Sequence, residues 1–404
     1  MTKSKPTRSD PNPAPKLIPS PTSKAALHFP TVRTRLPSRP APQDYNREGI
    51  PFDQPAGDCI MNLQTFMGAP AVQKLIASGQ IIFHSVGDSG VGTIEQEEVA
   101  EAMAGDINNV NHELGPSFMV HLGDVLYGPN KQANYADRFY RIYDHYDRLI
   151  FAVPGNHDGE VFPLTDPKTL AAFNANFCAP GNTQPPMGGQ FGMLMPNQPG
   201  PYWHLQAPFV DIIGLYSNAA EDLGIINNPV VGGQQKTWLQ ARLTAIAGVR
   251  TATKRNALLI AVHHPPYARG LQATGSGHPG SSQMLQDIDD CCNAAGILPD
   301  AVLAGHTHSA QRYMRTQKMK SATWTIPYLI AGTGGIGLQA LPSVPTGTRN
   351  AAGDVLYASA FKDYGYLTST VSAARLTIAF TAVIGTQTQV REQTITDLAT
   401  HTTV

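Results

Sequence analysis

The sequence is poor in charged residues and in cysteine. Charged residues make up only 15% of the 404 residues, below the usual ~25%. Acidic and basic side chains nearly cancel, at 30 and 29, for a formal net charge of -1, which gives no electrostatic reason to expect a nucleic-acid partner. The four cysteines include no C-x-x-C pair with metal spacing, and we interpret the adjacent Cys291 and Cys292 as core residues of a helix.

Long apolar runs are also absent. The N-terminus has no apolar stretch of the roughly 7–15 residues that a secretory signal requires. The long uncharged run between Lys320 and Arg349 contains Gly, Pro, Thr and Ser throughout, which is unlike a membrane helix. The sequence therefore predicts a chain without a membrane span that is located in the cytoplasm, with export as the alternative.

A Pro-rich, basic N-terminal arm precedes a patterned domain. The first 48 residues hold nine Lys and Arg against three acidic residues, and they lack periodic apolar spacing. This composition predicts an arm over residues 1–55 that is disordered or lies on the surface. The arm is either a solvated linker or a contact for an anionic surface. Apolar residues make up 42% of the chain, which is enough for a sizeable core. Residues 56–404 are therefore predicted to form a single domain.

Short apolar runs predict buried strands in this domain. Each run is rich in β-branched residues and ends in small or polar residues, which is typical of strands covered on both faces. The runs are residues 81–86, 118–124, 149–158, 209–217, 258–266, 301–308 and 327–335. Helical spacing between some of them, at 97–110, 234–248 and 284–296, predicts βαβ units. Alternation of Leu376, Ile378 and Phe380 with polar or small residues predicts a half-buried antiparallel strand.

The predicted fold class is therefore α/β with an antiparallel end. One stretch, residues 159–205, does not fit this pattern because it is rich in Gly, Pro, Met and Asn. A long irregular segment within a compact domain is usually disordered or functional. Since it directly follows a G-N-H-D sequence, we interpret it as a wall or lid over a site, with an ordinary surface loop as the alternative.

The candidate functional residues follow the predicted strands. Each of five strands leads, usually through a Gly, to polar side chains that can bind metal, namely Asp88, Asp124 with Tyr127, Asn156 with His157, His263, and His306 with His308. Any one of them alone is typical of a turn, a cap or a structural histidine. Because ligands collect at the carboxyl ends of strands in α/β sheets, all five in order predict one shared site.

This combination of side chains favours two metal ions. Carboxylates and a phenolate suit a hard, highly charged ion, whereas imidazoles and an amide oxygen suit a softer divalent ion. Two ions roughly 3.5–4 Å apart can hold a phosphate between them. Asp124 stands between the other ligands in their order along the chain. We therefore interpret it as the carboxylate that is shared by both ions.

The motifs resemble those of the calcineurin-like metallophosphoesterases and, more closely, the purple acid phosphatases. That family has D-x-G, G-D-x-x-Y, G-N-H-D/E, a His and G-H-x-H. The matching residues, spread over roughly 80–385, are Asp88 to Gly90, Gly123 to Tyr127, Gly155 to Asp158, His263, and Gly305 to His308. The resemblance implies a β-sandwich of two mixed sheets flanked by helices, and a catalytic domain that hydrolyses phosphate esters.

Position 90 separates the branches of this superfamily. Most members have D-x-H there, with the His as a ligand, whereas this sequence has Gly90 and carries Tyr127 at the spacing that would replace it. The resemblance implies a first ion, Fe(III), held by Asp88, Asp124, Tyr127 and His308. It implies a second ion, Fe(II), Zn(II) or Mn(II), held by Asp124, Asn156, His263 and His306. The alternative for Tyr127 is an apolar wall residue.

The remaining histidines are assigned by position. The family ligand is usually followed by one residue and then Pro, which selects His263 and leaves His264 facing the substrate or the core. By resemblance, His157 is the catalytic residue: it contacts the phosphate and protonates the leaving oxygen, while a metal-bound hydroxide attacks phosphorus. Asp158 is either the orienting partner of His157 or a turn cap. His204, which follows the irregular segment, is a further candidate on the substrate side.

The predicted activity is acid phosphatase hydrolysis of small-molecule phosphate monoesters by a binuclear metal enzyme. A phosphodiesterase or nucleotide hydrolase of the same superfamily is the alternative. A non-catalytic scaffold on this fold would normally lack ligands or the catalytic His, and all of these residues are present. A nucleic-acid-binding module would require a basic body, and only the arm is basic.

Overall fold

The computed structural model describes residues 48–404 except 110–114, 167, 179–187, 189–190, 192, 194, 221–222, 252–254, 270–277 and 342–343. Most of the predicted arm, residues 1–47, lies outside the described residues, as does part of the irregular segment. Within the described residues, every helix is too short or too polar to cross a membrane.

The chain alternates strands and helices before a C-terminal run of strands. The strands are β1 (Ile60–Asn62), β2 (Gln80–Val86), β3 (Phe118–His121), β4 (Leu149–Ala152), β5 (Trp203–Ala207), β6 (Val210–Leu215), β7 (Ala257–Val262), β8 (Ala301–Ala304), β9 (Ala310–Met319), β10 (Ala322–Ala331), β11 (Thr348–Arg349), β12 (Val355–Phe361), β13 (Gly365–Ser372), β14 (Arg375–Ile384), β15 (Gln387–Asp397) and β16 (Thr402–Thr403). The helices are α1 (Leu63–Met67), α2 (Ala69–Ser78), α3 (Ile94–Asn109), α4 (Lys131–Tyr135), α5 (Asn156–Gly159), α6 (Ala171–Phe177), α7 (Gln234–Val249) and α8 (Ser282–Ala295), and a π-helical turn continues α4 over Ala136–Tyr140.

The strands form two mixed sheets. The seven-stranded sheet has the order β16-β15-β14-β13-β2-β3-β4, and the nine-stranded sheet has the order β1-β5-β6-β7-β8-β10-β9-β12-β11. β2, β3 and β4 run parallel, as do β6, β7, β8 and β10. β14 pairs antiparallel with β13 and β15. The predicted α/β sandwich of two mixed sheets, with its antiparallel end, is confirmed.

The main apolar core lies between the two sheets. On β7, Leu259 and Ala261 belong to this core, whereas the alternating Leu258, Ile260 and Val262 pack with α7 and α8 on the outer face. Successive strand side chains point to opposite faces, so a strand covered on both faces is continuously apolar. This double burial explains the apolar run that predicted β7.

The three helical patterns form α3, α7 and α8, as predicted. Helix α3 and the π-helical turn pack on the outer face of the seven-stranded sheet. Helix α8 ends at Gly296, whose left-handed φ of 69° lets its N–H donate to the carbonyl of Cys292. Cys291 and Cys292 are fully buried on α8, which confirms their interpretation as core residues.

Two segments predicted to be irregular contain more structure than their composition indicates. Residues 48–55 are the end of the arm that was predicted to be disordered or to lie on the surface. They pack on the domain, where the ring of Phe52 lies 5.0 Å from that of Tyr216. Within residues 159–205, the chain forms α6 and the first part of β5. Packed aromatic side chains, including two phenylalanines on α6 with stacked rings, stabilise this structure despite the high Gly and Pro content of the segment.

Candidate metal centre

The carboxyl ends of parallel strands from both sheets supply the candidate site. Asp88 follows β2, Asp124 follows β3, and Asn156 begins α5 shortly after β4 in the seven-stranded sheet. His263 follows β7 and His306 follows β8 in the nine-stranded sheet. All five side chains are buried, and the contacts between them join the two sheets.

Four of the predicted ligands are linked by contacts around Asn156 and His263, and we call them the Asn156 group (Asp124, Asn156, His263 and His306). Asn156 Oδ1 lies 3.0 Å from His263 Nε2 and 3.1 Å from His306 Nδ1. His263 Nε2 also lies 3.4 Å from Asp124 Oδ1. These contacts link four residues on four different loops into one chain, from Asp124 through His263 and Asn156 to His306.

The other predicted ligands surround Asp88, and we call them the Asp88 group (Asp88, Tyr127 and His308). The Tyr127 hydroxyl donates to Asp88 Oδ1 at 3.1 Å, and His308 Nε2 lies 3.5 Å from the same oxygen. The backbone N–H of His306 donates to Asp88 Oδ2 at 2.8 Å, which ties this group to the Asn156 group. Burial and the charges of Asp124 and Asp88 raise the pKa of Tyr127 well above its ordinary value.

The strand ends that carry these residues have an unusual backbone. Asp88, Asp124 and His306 adopt left-handed φ angles of 61°, 53° and 66°. A non-glycine residue in this region costs of order 1 kcal/mol or more, although Asp and His tolerate it better than bulky residues. Three such residues lie within one contact network, so the contacts of their side chains offset the cost of the left-handed backbone.

A backbone carbonyl fixes the orientation of the His263 ring on the side opposite the Asn156 group. Its Nδ1 donates to the carbonyl oxygen of Leu122 at 2.8 Å, which directs Nε2 to the Asn156 group. Burial lowers the pKa of His263, but the Asp124 and Asp88 carboxylates outweigh it and raise the pKa to about 9. The negative potential at this nitrogen therefore favours a bound positive charge.

His157 lies next to both groups without belonging to either. Its backbone N–H donates to Asp124 Oδ1 at 2.9 Å, and its Nε2 lies 4.0 Å from Asp124 Oδ2. The ring centroid is 4.5 Å from that of Tyr127, and Nδ1 lies 2.8 Å from Glu160 Oε1. With 16% of its side chain exposed, His157 is more accessible than the buried residues of the Asn156 group.

Asp158 has the contacts of a turn cap, one of the two roles that the sequence left open for it. Its Oδ2 accepts the backbone N–H groups of Gly155 and Val125 at 2.8 and 3.1 Å, and its Oδ1 accepts that of Leu126 at 3.1 Å. Burial, together with the nearby charge of Asp124, raises the pKa of Asp158 to about 6 against these bonds. Both of its oxygens are therefore used to hold the two loops together.

The ring nitrogens of His264 and one ring nitrogen of His204 have structural partners, which for His264 matches the alternative of a residue that faces the core. His264 Nδ1 lies 2.7 Å from Ser217 Oγ, and its Nε2 lies 2.7 Å from the carbonyl of Ala220. His204 lies on β5 and pairs with Asp211 through Nε2 at 2.9 Å. Of the two adjacent histidines, only His263 contacts the Asn156 group through a ring nitrogen.

A calcineurin-like phosphoesterase family model matches residues 86–310, more than half of the chain. The chain belongs to the calcineurin-like phosphoesterases. The match begins at the end of β2 and ends at the start of β9, so it includes both groups of candidate ligands.

Other relatives of this phosphoesterase are remote. Purple acid phosphatase 22 of Arabidopsis thaliana is 21% identical over 254 residues, which are 61% of this chain and 49% of that protein. The chain thus spans about half the length of this relative. GAP50, the anchor in the inner membrane complex of Plasmodium, is 14% identical with a TM-score of 0.52, over 77% of this chain and 88% of GAP50. The yellow lupin purple acid phosphatase PPD1 is 13% identical with a TM-score of 0.52, over 79% and 54%. These structures share the fold.

One residue near the phosphoesterase site was not assigned from the sequence. His278, on the loop before α8, places its ring centroid 4.1 Å from that of His306 and 5.5 Å from that of His308. Its Nδ1 is buried without a hydrogen-bond partner among the described residues. The Gly- and Ser-rich sequence around His278 carries no ligand spacing, so the position of its loop after the His263 strand indicates only that the loop, residues 268–282, borders the site.

The residues of this site fit bound metal. Asp88, Asp124 and His263 offer ligand atoms within 4.8 Å of one another. Asp124 Oδ2 and His306 Nε2 are buried without hydrogen-bond partners in the described part of the chain, a costly arrangement unless another group is bound. The donors are carboxylate, phenol, amide and imidazole, which suit hard and borderline transition-metal ions.

Gly90, where most of the superfamily has a histidine ligand, is required by the backbone of this phosphoesterase. A Cβ atom at position 90 would lie 1.9 Å from the carbonyl oxygen of Val125 and 2.4 Å from the Cα of Leu126. The backbone N–H of Tyr127 donates to the Gly90 carbonyl at 3.2 Å. The close approach that excludes a side chain at 90 therefore also holds the loop that carries Tyr127.

Replacing Gly90 by alanine is expected to lower the free energy of unfolding by about 1–3 kcal/mol, the usual cost of forcing an atom into a packed region. Denaturant unfolding of the purified variant measures it. Gly248→Ala in α7 is the matched control, because a Cβ there meets nothing within 4 Å and alanine favours a helix. A Gly90→Ala protein as stable as wild type would show that the two loops can separate.

Proposed function

We propose that this protein is a binuclear metal phosphoesterase that hydrolyses phosphate monoesters, in the manner of an acid phosphatase. The observation that carries the proposal is the convergence of the Asn156 group, in which Asn156 Oδ1 lies 3.0 Å from His263 Nε2 and 3.1 Å from His306 Nδ1. This set of buried polar atoms comes from separate loops, and its His306 Nε2 has no hydrogen-bond partner among the described residues. It is a suitable set of ligands for a divalent ion.

The proposed ligand sets follow the two groups. The first ion would be held by the Asp88 group with Asp124, and the second by the Asn156 group, which includes Asp124. Asp124 is the proposed bridge because it interacts with residues of both groups. It contacts His263 of the Asn156 group, and its charge raises the pKa of Tyr127 in the Asp88 group. When bound, the two ions would lower the pKa of a water molecule and neutralise charge on the phosphoryl oxygens.

His157 is the proposed general acid. Hydrolysis forms one bond from a water oxygen to phosphorus and breaks the bond from phosphorus to the leaving oxygen, which must gain a proton. His157 is a suitable donor because its Nε2 faces Asp124 Oδ2 at 4.0 Å while its ring remains partly exposed. The Tyr127 ring, 4.5 Å away, limits where the imidazole can move.

We further propose that the first ion is Fe(III) and the second Fe(II), Zn(II) or Mn(II), because a tyrosine phenolate is a hard ligand that suits a trivalent ion. Protein reconstituted with iron is expected to absorb visible light through the Tyr127–iron pair, and Tyr127→Phe is expected to abolish that band. Absorption spectra combined with metal analysis test this. Tyr135→Phe is the control, since the Tyr135 hydroxyl is buried without a hydrogen-bond partner among the described residues. A colourless wild-type protein after iron loading would refute the assignment.

The monoester preference is tested on the same preparations. An aryl phosphate monoester and the matching bis-aryl diester are assayed side by side at equal metal content. Higher kcat/KM on the monoester supports the acid phosphatase proposal. Higher kcat/KM on the diester would instead support a phosphodiesterase built on the same ligands.

A further inference from the structure

A buried carboxylate lies behind His157. Glu160 follows the short helix α5, and only 3% of its side chain is exposed. Its Oε1 lies 2.8 Å from Nδ1 of His157. A carboxylate removed from water is costly unless it is paired or hydrogen-bonded, so this contact is a specific feature of the site.

The backbone around Glu160 is held in place by three further contacts. Its N–H donates to the carbonyl of Asn156 at 3.1 Å. Its own carbonyl accepts from Nζ of Lys131 at 3.0 Å, and the neighbouring carbonyl of Gly159 accepts from Thr169 Oγ1 at 2.7 Å. Lys131 is itself buried, next to Asp166 at 3.7 Å. The Glu160 carboxylate is therefore presented to His157 from a fixed backbone.

We propose that Glu160 is a positioning residue for His157. Its carboxylate accepts the Nδ1 proton of the imidazole and fixes the rotation of the ring, so that Nε2 points toward Asp124 and the reacting phosphate. The inference rests on the proposed function, because it matters for catalysis only if His157 is the general acid. Asp158 cannot fill this role, since both of its oxygens hold backbone N–H groups.

The kinetic test is a double-mutant cycle on the metal-loaded enzyme. Glu160→Ala is expected to lower kcat on an alkyl phosphate by about 10–100-fold, the usual effect of removing a partner that orients a functional histidine. KM and metal content should stay near wild type. Glu160→Gln, which keeps an accepting oxygen, should recover most of the loss. In a His157→Ala background, Glu160→Ala should have no further effect.

The matched control is an exposed carboxylate–histidine pair with a similar distance. Glu101 Oε1 lies 2.6 Å from His145 Nδ1 on the exposed surface, so Glu101→Ala removes an equivalent contact remote from catalysis and should leave kcat unchanged. If Glu160→Ala lowered kcat by the same factor with and without His157, Glu160 would be only structural and the proposal would be wrong. A drop in KM or metal content alone, with kcat retained, would also overturn it.

A second readout does not depend on activity. In metal-free protein labelled with ¹⁵N-histidine, the His157 ring, assigned by its absence in His157→Ala, should show a proton on Nδ1 and should shift in Glu160→Ala. Unchanged His157 signals in Glu160→Ala would refute the contact. If wild-type protein hydrolyses no phosphate ester yet the signals shift as expected, the proposed function fails while the positioning contact stands.

Discussion

Asp124→Asn is expected to lower kcat/KM for phosphate ester hydrolysis by on the order of 1000-fold or more, about 4 kcal/mol of transition-state stabilisation, and to remove bound metal. Asp124 is the one proposed ligand shared by both ions. Its Oδ1 lies 3.4 Å from His263 Nε2, and its Oδ2 is buried without a hydrogen-bond partner in the described residues. Asparagine keeps the shape but loses the charge that holds two cations together.

Metal analysis and steady-state kinetics on the same preparation measure this effect. Asparagine tolerates the left-handed backbone at position 124, so the variant should fold, which circular dichroism checks. Asp211→Asn is the control, because Asp211 also pairs with a histidine, His204, at 2.9 Å but lies outside both ligand groups. Full retention of two ions by Asp124→Asn would show that Asp124 is not a bridge.

His157→Ala is expected to lower kcat by about 100- to 10,000-fold, the range of a positioned general acid, while metal content stays at the wild-type level. The metals should remain because His157 belongs to neither ligand group. The loss should be greater for an alkyl phosphate than for an aryl phosphate, since an alkoxide leaving group needs its proton more than a phenolate does.

The control for this variant is His145→Ala, which removes a largely exposed histidine and should leave both activity and metal unchanged. Normal turnover of an aryl phosphate and an alkyl phosphate by His157→Ala would exclude the general acid role. Loss of one ion in that variant would instead make His157 a ligand.

The strands that end at the site were predictable from the sequence because both of their faces are buried. A strand such as β7 has core residues on one face and helix contacts on the other, so its apolar run stands out, and the polar residue after it marks the strand end. The position of the site follows from the parallel pairing of these strands.

The strands outside this parallel centre were harder to predict because their charges are satisfied by distant residues. β9 contains Arg312 and Arg315, which give it the composition of a surface loop. Arg312 Nε lies 2.9 Å from Glu392 Oε2 on β15, and Arg315 pairs with Asp289 on α8 at 2.7 Å. Such pairs depend on the tertiary fold, so the sequence does not reveal them.

The same reason explains what the sequence left open within the site. Asp158 and His264 stand next to predicted ligands in the sequence, yet their side chains hold the backbone and neighbouring loops. Glu160 carries no motif, yet it contacts His157. Position along the chain identifies which loop a residue occupies, but the direction of its side chain depends on residues far away in sequence.

The ligands come from two separate sheets, and this division links maturation of the site to assembly of the fold. Asp88, Asp124 and Asn156 belong to one sheet, and His263 and His306 to the other. A chain whose sheets pack with a shifted alignment would keep its secondary structure yet could not complete either ion's ligand set. Retention of the proposed ions would therefore report that the two sheets of a newly folded chain have packed in the correct alignment.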